Sequence, residues 1–211
     1  MLQTETVKPG TLGVLKSLMG DNSFADFFLV GGTALSLQIG HRESIDIDLF
    51  SLKPFDGNQL LEHLEKMLDF KLNYEGKNAI KGKINNIQVD FITHDYPLIE
   101  PIQNIEGLRI AGLKDIAAMK LNAITGNGTR LKDYIDVAYL SQYMSLEDMT
   151  EAYKVKYSSR NPFAALKSLS YHEDINFDEH IKLIHHKYTW KGIEKRINQM
   201  ITFPDKIFEE M

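Results

Sequence analysis

The pattern of apolar and polar positions divides the chain into a mixed first half and a helical second half. Short apolar runs or strict alternation, both typical of strands, occur at residues 27–30, 45–49, 70–74, 79–84 and 87–93. Apolar residues three or four positions apart, which indicate helices, occur at residues 11–19, 34–39 and 59–68 and then from Leu113 to the end, with breaks near residues 126–128, 161–162 and 203–204. The sequence therefore predicts an α+β fold with a domain of residues 1–110 and a helical domain of residues 111–211.

Several small residues predict where these elements end. Gly31 and Gly32 close a buried strand with a tight turn, and Thr33 is expected to cap the helix that follows. Gly40 is expected to end that helix. Two adjacent asparagines, residues 85–86, tolerate positive φ and suit a two-residue hairpin turn between two strands.

Three aspartates interrupt otherwise apolar strands. Asp46 and Asp48 are two positions apart, so both side chains should leave the same face of the strand, with Cα atoms about 6.6 Å apart. On a neighbouring strand, the side chain of Asp90 should likewise leave the face opposite the apolar residues beside it. Such residues often line the solvated face of a strand, but aspartate is a poor strand former, and carboxylates are the ligands that Mg²⁺ prefers. The spacing predicts a site for two Mg²⁺ ions that catalyse phosphoryl transfer.

The glycine turn has the local features of an anion site. Glycines let a phosphate approach the backbone, and the first turn of the next helix offers free N–H groups at its positive end. A Gly-Gly turn alone usually only marks a turn. Followed by Asp46 and Asp48, it predicts that phosphates bind beside metal ions.

A lysine and two further aspartates lie in the helical part. Lys120 falls within the apolar stripe that begins at Leu113, so its ammonium either reaches solvent along its alkyl chain or binds an anion such as the phosphates of an NTP. Asp133 and Asp136 are neighbours on one helix face. Either a helix-terminus role or a functional role suits this pair.

Composition narrows the class of protein. The net charge is -5, and the acidic excess lies in the first 110 residues, whereas a dedicated nucleic-acid binder is usually basic. One local stretch is basic, and we interpret it as a solvated helix face rather than as an RNA contact surface. It comprises Lys182, His185, His186, Lys187, Lys191, Lys195 and Arg196. Cysteine is absent, the N-terminal segment is unlike a secretory signal, and no apolar run could span a bilayer. A cytoplasmic protein without a membrane segment is expected.

The motifs taken together resemble a known family. Residues 31–35 (GGTAL) and 40–50 (GHRESIDIDLF) are similar to the first motif of the AbiEii/AbiGii-type (MenT-like) nucleotidyltransferase toxins, within the DNA-polymerase-β-like superfamily. Residues 118–121 (AMKL) resemble the family's lysine motif. Asp133 and Asp136, with Tyr143 beyond them, resemble its last motif. The likeness spans residues 27–143, and residues 151–211 match no pattern of the family.

This resemblance implies a nucleotidyltransferase fold, a small mixed sheet with flanking helices, followed by a helical domain that completes the active site. It implies these roles: Gly31, Gly32, Thr33, Arg42, Ser44 and Lys120 bind nucleotide; Asp46, Asp48 and Asp90 bind two Mg²⁺ ions; Asp133 and Asp136, with Lys120, complete the catalytic set. The family often shows two lysines one residue closer together than Lys114 and Lys120, which leaves open which of them binds phosphate. Asp90 is the least characteristic member of the set.

The implied activity is transfer of a nucleotide from an NTP to an acceptor, with RNA, at a tRNA 3′ end, as the acceptor. The implied setting is the toxin of a toxin–antitoxin or phage-defence system, with a cognate antitoxin as partner. Two alternatives stay open. One is a catalytically silent module that binds nucleotide or antitoxin; the other is a transferase for a small cationic acceptor such as an aminoglycoside.

Overall fold

The computed structural model of the chain describes residues 1–184 and 189–210 and divides into two units. The first unit contains Met1–Pro97 and Pro101–Ala111, and the second contains Leu98–Glu100 and the chain from Gly112 onward. The predicted α+β fold is confirmed, because a seven-stranded sheet with flanking helices precedes a series of helices. No helix in the described ranges has both the length and the apolar character needed to cross a membrane.

The first unit holds all of the strands that the structure describes. Its strands are β1 Phe28–Val30, β2 Ile47–Ser51, β3 Lys71–Gly76, β4 Ala79–Ile84, β5 Ile87–Thr93, β6 Gln103–Ile105 and β7 Leu108–Ile110. Its α-helices are α1 Pro9–Gly20, α2 Gly31–Ile39 and α3 Gly57–Leu68, and single 3₁₀ turns occur at Thr4–Thr6 and Asn22–Phe24.

The sheet has the strand order β3-β4-β5-β2-β1-β7-β6. β2 pairs with β5 and β1 pairs with β7 in parallel, and the remaining neighbours are antiparallel. Alternation along the central strands buries one face, as Ile47, Leu49, Val89 and Phe91 are at most 1% exposed. Asp48 and Asp90, which alternate with these residues, consequently lie on the opposite face of the sheet.

The β4–β5 hairpin matches its prediction at both ends. Residues 79–84 and 87–93 form the two strands, and Asn85 and Asn86 connect them with φ values of 50° and 65°. Two successive positive φ values match the twist of the flanking strands, which is why asparagine suits both positions.

Other boundaries differ from the prediction. β2 begins at Ile47 rather than at residue 45, because only residues 47–51 pair with β5. Alternation over residues 45–49 would place Ile45 on the same face as Ile47, but Ile45 precedes the strand and is 54% exposed. β6 and β7 were not predicted. Each is three residues long, and they meet at a turn in which Glu106 and Gly107 have positive φ.

Helix α2 starts earlier than predicted. Gly31 is already helical by hydrogen bonding, and no side chain caps the helix at Val30. Thr33 was expected to be the cap, which is wrong, because its hydroxyl bonds outside the helix. Gly40 ends α2 with a φ of 73°, as predicted.

The second unit contains helices and no strands in its described part. Its helices are α4 Leu113–Gly126, α5 Leu131–Leu140, α6 Leu146–Lys156, α7 Pro162–Leu169 and α8 Trp190–Thr202. The predicted breaks are confirmed: α4 ends at Gly126, Asn161 caps α7, and α8 ends just before Phe203. The predicted helical pattern to the end of the chain is wrong for residues 170–184 and 205–210, neither of which contains a helix.

A buried tyrosine ties this non-helical segment to α5. The hydroxyl of Tyr134 donates to the carbonyl oxygen of Tyr171 at 3.0 Å and lies 3.2 Å from the carbonyl oxygen of Gly128. Burial is the main reason that the pKa of Tyr134 rises to about 12, and the charge of Asp133 adds to the effect.

We expect Tyr134→Phe to lower the free energy of unfolding by about 1–2 kcal/mol at neutral pH, since buried carbonyls lose a donor. Because the folded pKa is raised, the hydroxyl's contribution is complete below pH 10.0 and is lost as the pH rises through about 12. Urea unfolding across this range should show the variant and the wild type converging at high pH. A constant difference would contradict this assignment.

Candidate functional site

The glycine turn and the aspartate strand lie side by side in the first unit. Val30, the last residue of β1, is the Cα partner of Asp48 on β2, so the turn that follows β1 starts beside this aspartate. Gly31 has a φ of 72°, and a Cβ added there would overlap Asp48 Oδ2. Only glycine fits this position, because any side chain would collide with the carboxylate and strain the backbone.

The first turn of α2 is tied to the segment that precedes β2. Thr33 is buried, and its hydroxyl contacts Ser44 Oγ at 2.9 Å and donates to the carbonyl oxygen of Asp46. The guanidinium of Arg42 occupies the space where a Cβ of Gly32 would lie. Arg42 and Ser44 are both buried, at 4% and 8% exposure. The structure therefore brings together all of the unit's residues that were predicted to bind nucleotide.

Two of the three predicted metal ligands, Asp48 and Asp90, lie on one face of the sheet, and the third, Asp46, lies just before β2. Asp46 precedes β2 and Asp48 lies within it, and both alternate with the buried Ile47. Asp48 and Asp90 are Cα partners in the parallel β2–β5 pair, so their backbones are about 4.8 Å apart. These three residues offer hard oxygen donors, which is the ligand chemistry that Mg²⁺ selects.

Asp90 also has protein partners of its own. Lys81 Nζ lies 2.7 Å from Asp90 Oδ2, and the side-chain amide of Gln88 donates to Oδ1 at 2.8 Å. Sequence reasoning did not find this lysine, although the antiparallel register that sets Lys81 opposite Asp90 follows from the predicted hairpin. Among the residues that the structure describes, no group of three or more His, Asp or Glu side chains is already gathered as a metal site. The carboxylates of Asp46 and Asp48 have the oxygen chemistry that suits Mg²⁺.

Gly31→Ala tests how closely the turn and Asp48 fit. The added methyl group would displace the Asp48 carboxylate, and the left-handed backbone costs an alanine about 1–2 kcal/mol. We expect at least about a tenfold loss of the nucleotide transfer that the sequence motifs predict, together with that loss of stability. Gly40→Ala is the matched control, because Gly40 has nearly the same φ, 73°, and would meet only the flexible Gln3. Equal losses of transfer in both variants would show that strain alone is responsible.

The second unit contains a buried charge cluster. Lys120 Nζ lies 2.7 Å from Asp133 Oδ1 and 2.6 Å from Asp136 Oδ2, and all three side chains are at most 6% exposed. The prediction placed Lys120 in the apolar stripe, and it is indeed buried there. Its ammonium bridges the two aspartates of α5 rather than extending to solvent. Lys114, the other candidate, is exposed at the start of α4.

A second buried ion pair was missed by the sequence reasoning. Lys156 Nζ lies 2.7 Å from Asp115 Oδ1, and both side chains are fully buried. Asp115 also accepts the backbone N–H groups of Ile99 and Glu100. Asp115 lies between the apolar positions of α4, but a partner 41 residues away leaves no local signal. The pair joins the segment at residues 98–100 to α4 and α6.

The basic stretch does not form one helix face. His185, His186 and Lys187 lie outside the described residues, and Lys182 lies outside any helix. Lys191 and Lys195 are exposed on α8. Arg196 instead donates to Ser141 Oγ at 3.0 Å and to the carbonyl oxygen of Glu209 at 2.9 Å, which gives it a structural role.

Comparisons with known proteins agree with this architecture. The family described as "Nucleotidyl transferase AbiEii toxin, Type IV TA system" matches residues 14–97 and 70–202. The uncharacterized protein aq_aa25 of Aquifex aeolicus (strain VF5) is 37% identical over 155 residues, which cover 71% of this chain and 75% of that protein.

Two solved structures share the fold. JHP933 from Helicobacter pylori has a TM-score of 0.56 at 19% identity and covers 94% of this chain and 93% of its own. The antibiotic-resistance factor ANT(2'')-Ia has a TM-score of 0.53 at 18% identity and covers 76% of this chain and 97% of its own.

Proposed function

Because this chain belongs to the AbiEii nucleotidyltransferase toxin family, we propose that it transfers a nucleotide from an NTP to an RNA acceptor, at a tRNA 3′ end. One observation carries the assignment of the site. Asp48 Oδ2 occupies the space that Gly31 leaves by having no side chain, so the glycine turn that ends β1 lies directly against a carboxylate of β2. Nucleotide transfer needs the phosphate site and the metal-binding carboxylates close together, because the metal ions contact the phosphates.

The triphosphate binds at the turn. The backbone N–H groups at residues 31–33 begin α2, where the helix dipole favours negative charge. Thr33 and Ser44 fix the turn against the segment before β2, and Arg42 adds a positive charge behind Gly32. Preorganised donors of this kind stabilise charge as it develops on the leaving group.

Asp46 and Asp48, with Asp90, would hold Mg²⁺, which supplies charge neutralisation at the phosphates and lowers the pKa of a bound hydroxyl. The acceptor hydroxyl oxygen forms a bond to the α-phosphorus. The bond from that phosphorus to the bridging oxygen breaks, and pyrophosphate leaves with the charge that the turn stabilises. Asp90 takes up the hydroxyl proton.

Incubation of the protein with each α-labelled NTP, Mg²⁺ and total tRNA tests this proposal. We expect label on RNA, and none with an Asp46→Asn variant that folds normally. Bound nucleotide without transfer would indicate a silent binding module instead. Label on an aminoglycoside but not on RNA would indicate a small-molecule transferase. The acidic excess of the first 110 residues would suit such a cationic acceptor.

A role as the toxin of a toxin–antitoxin or phage-defence pair, acting on cytoplasmic RNA, follows from the same proposal. Induced expression should arrest growth if RNA is modified, and Asp46→Asn should relieve the arrest. Growth arrest of equal strength by the variant would separate toxicity from nucleotide transfer. A cognate antitoxin is the partner that this role requires.

A further inference from the structure

A row of polar side chains crosses the sheet beyond the carboxylates. Directly paired residues of neighbouring strands share a face. Asp48 pairs with Asp90, Asp90 pairs with Lys81 on β4, and Lys81 pairs with Tyr74 on β3. The site face thus continues from the two aspartates to a lysine and then to a tyrosine that is 55% exposed.

Two more lysines lie on this face. Lys83 is two positions from Lys81 on β4 and therefore points to the same side, and Lys71 on β3 is the Cα partner of Lys83. Lys71, Lys81 and Lys83 are named here the lysine strip. Lys71 and Lys83 are exposed, and in residues 1–184 and 189–210 neither has a carboxylate partner. Like charges paired directly across strands cost stability unless an anion neutralises them.

Lys81 differs from the other two. It is 39% exposed, and its ammonium is bound to Asp90 at 2.7 Å, while Asp90 is only 14% exposed. Lys81 therefore orients Asp90, whereas Lys71 and Lys83 present their charges to solvent. The strip has one member that positions a proposed catalytic carboxylate and two that are available to a ligand.

The chemistry of the proposed reaction indicates which ligand Lys71 and Lys83 bind. In a phosphoryl transfer, the attacking and the leaving oxygens lie on opposite sides of the phosphorus. With the triphosphate at residues 31–33 beside β1, pyrophosphate leaves on the β1 side of Asp48. The acceptor then approaches from the β5 and β4 side, which is the side of the lysine strip.

We infer that the lysine strip and Tyr74 form the acceptor subsite, and that they bind the phosphate backbone and a base of a single-stranded RNA end. This inference rests on the proposed function and adds the acceptor class. Lysines bind phosphates as point charges, and an exposed aromatic ring next to them provides a stacking surface for a base. A cationic acceptor such as an aminoglycoside would be repelled by the ammonium groups of Lys71 and Lys83.

The test is binding of a short single-stranded RNA, measured by fluorescence anisotropy without NTP over a range of salt concentrations. For the double variant Lys71→Gln/Lys83→Gln we expect a loss of affinity of about tenfold or more. The slope of log affinity against log salt should fall by about 1.4, which corresponds to two lost phosphate contacts on a single strand. Tyr74→Ala should lose about tenfold in affinity, and Tyr74→Phe should retain it.

The matched control is Lys16→Gln/Lys66→Gln, which removes the same charge from exposed positions on α1 and α3. Binding of an NTP should be unchanged in both double variants. If the strip variant binds RNA with the wild-type affinity and salt slope, or loses no more than the control, the subsite is wrong. If the strip variant loses RNA binding while the wild type transfers no label, the subsite stands and the proposed nucleotide transfer fails.

Discussion

Asp48→Asn is expected to lower the rate of nucleotide transfer by about 10²–10³-fold or more. Asparagine keeps the size of the side chain and its place beside Gly31, but it removes a negative charge from the proposed Mg²⁺ site. The effect should appear in kcat rather than in binding of the RNA acceptor. Label transfer from each NTP under saturating Mg²⁺ provides the measurement.

Asp95→Asn is the matched control for this variant, because Asp95 is an exposed carboxylate in the loop after β5. It should transfer label at the wild-type rate. Thermal unfolding should show both variants close to wild type, since Asp48 is only half-buried. Transfer by Asp48→Asn at a rate within about twofold of wild type would remove this residue from the catalytic set.

Lys120→Met is expected to lower the free energy of unfolding by about 3–5 kcal/mol. The substitution leaves two buried carboxylates, Asp133 and Asp136, without the ammonium that bridges them. Arg130 is 3.4 Å from the other oxygen of Asp133 but is largely exposed and cannot replace it. Urea unfolding followed by circular dichroism gives the measurement.

A triple variant separates a structural role of Lys120 from phosphate binding. Adding Asp133→Asn and Asp136→Asn to Lys120→Met removes the uncompensated charges, so much of the lost stability should return. NTP affinity measured on this variant then reports on Lys120 without the cost of unfolding. Stability that is unchanged in Lys120→Met, combined with lost NTP binding, would instead support the phosphate-ligand role that the sequence suggested.

The β4–β5 hairpin and the aspartate strand show how much the sequence alone revealed. Alternation over five to seven residues, closed by the asparagine pair at residues 85–86, determines both strands and their register. That register in turn aligns Asp90 with Lys81. The pairing of Asp48 with Asp90 needed the sheet order, because β2 and β5 are parallel and separated by α3, β3 and β4.

The missed features depend on contacts between distant parts of the chain. The sequence places Thr33 where a helix cap would lie. In the fold, its hydroxyl instead bonds to Ser44 and to the backbone carbonyl just before β2, which are distant in sequence. Lys120 and the pair Asp133 and Asp136 were each recognised as unusual. Lys120 forms ion pairs with both aspartates, as the rule that buried charges must be paired would predict. Sequence reasoning did not apply that rule across two helices.

The position of the metal ion tests the central claim most directly. Fe²⁺ can replace Mg²⁺ in the presence of a non-hydrolysable NTP analogue. Added hydrogen peroxide oxidises the bound Fe²⁺ and releases hydroxyl radicals that cut the backbone near the binding site, and ascorbate returns the iron to Fe²⁺. We expect cuts near residues 31–33, 46–48 and 90, and their loss in an Asp46→Asn/Asp48→Asn variant. Cuts elsewhere in the chain, or an unchanged pattern in that variant, would contradict a metal–triphosphate site at the glycine turn.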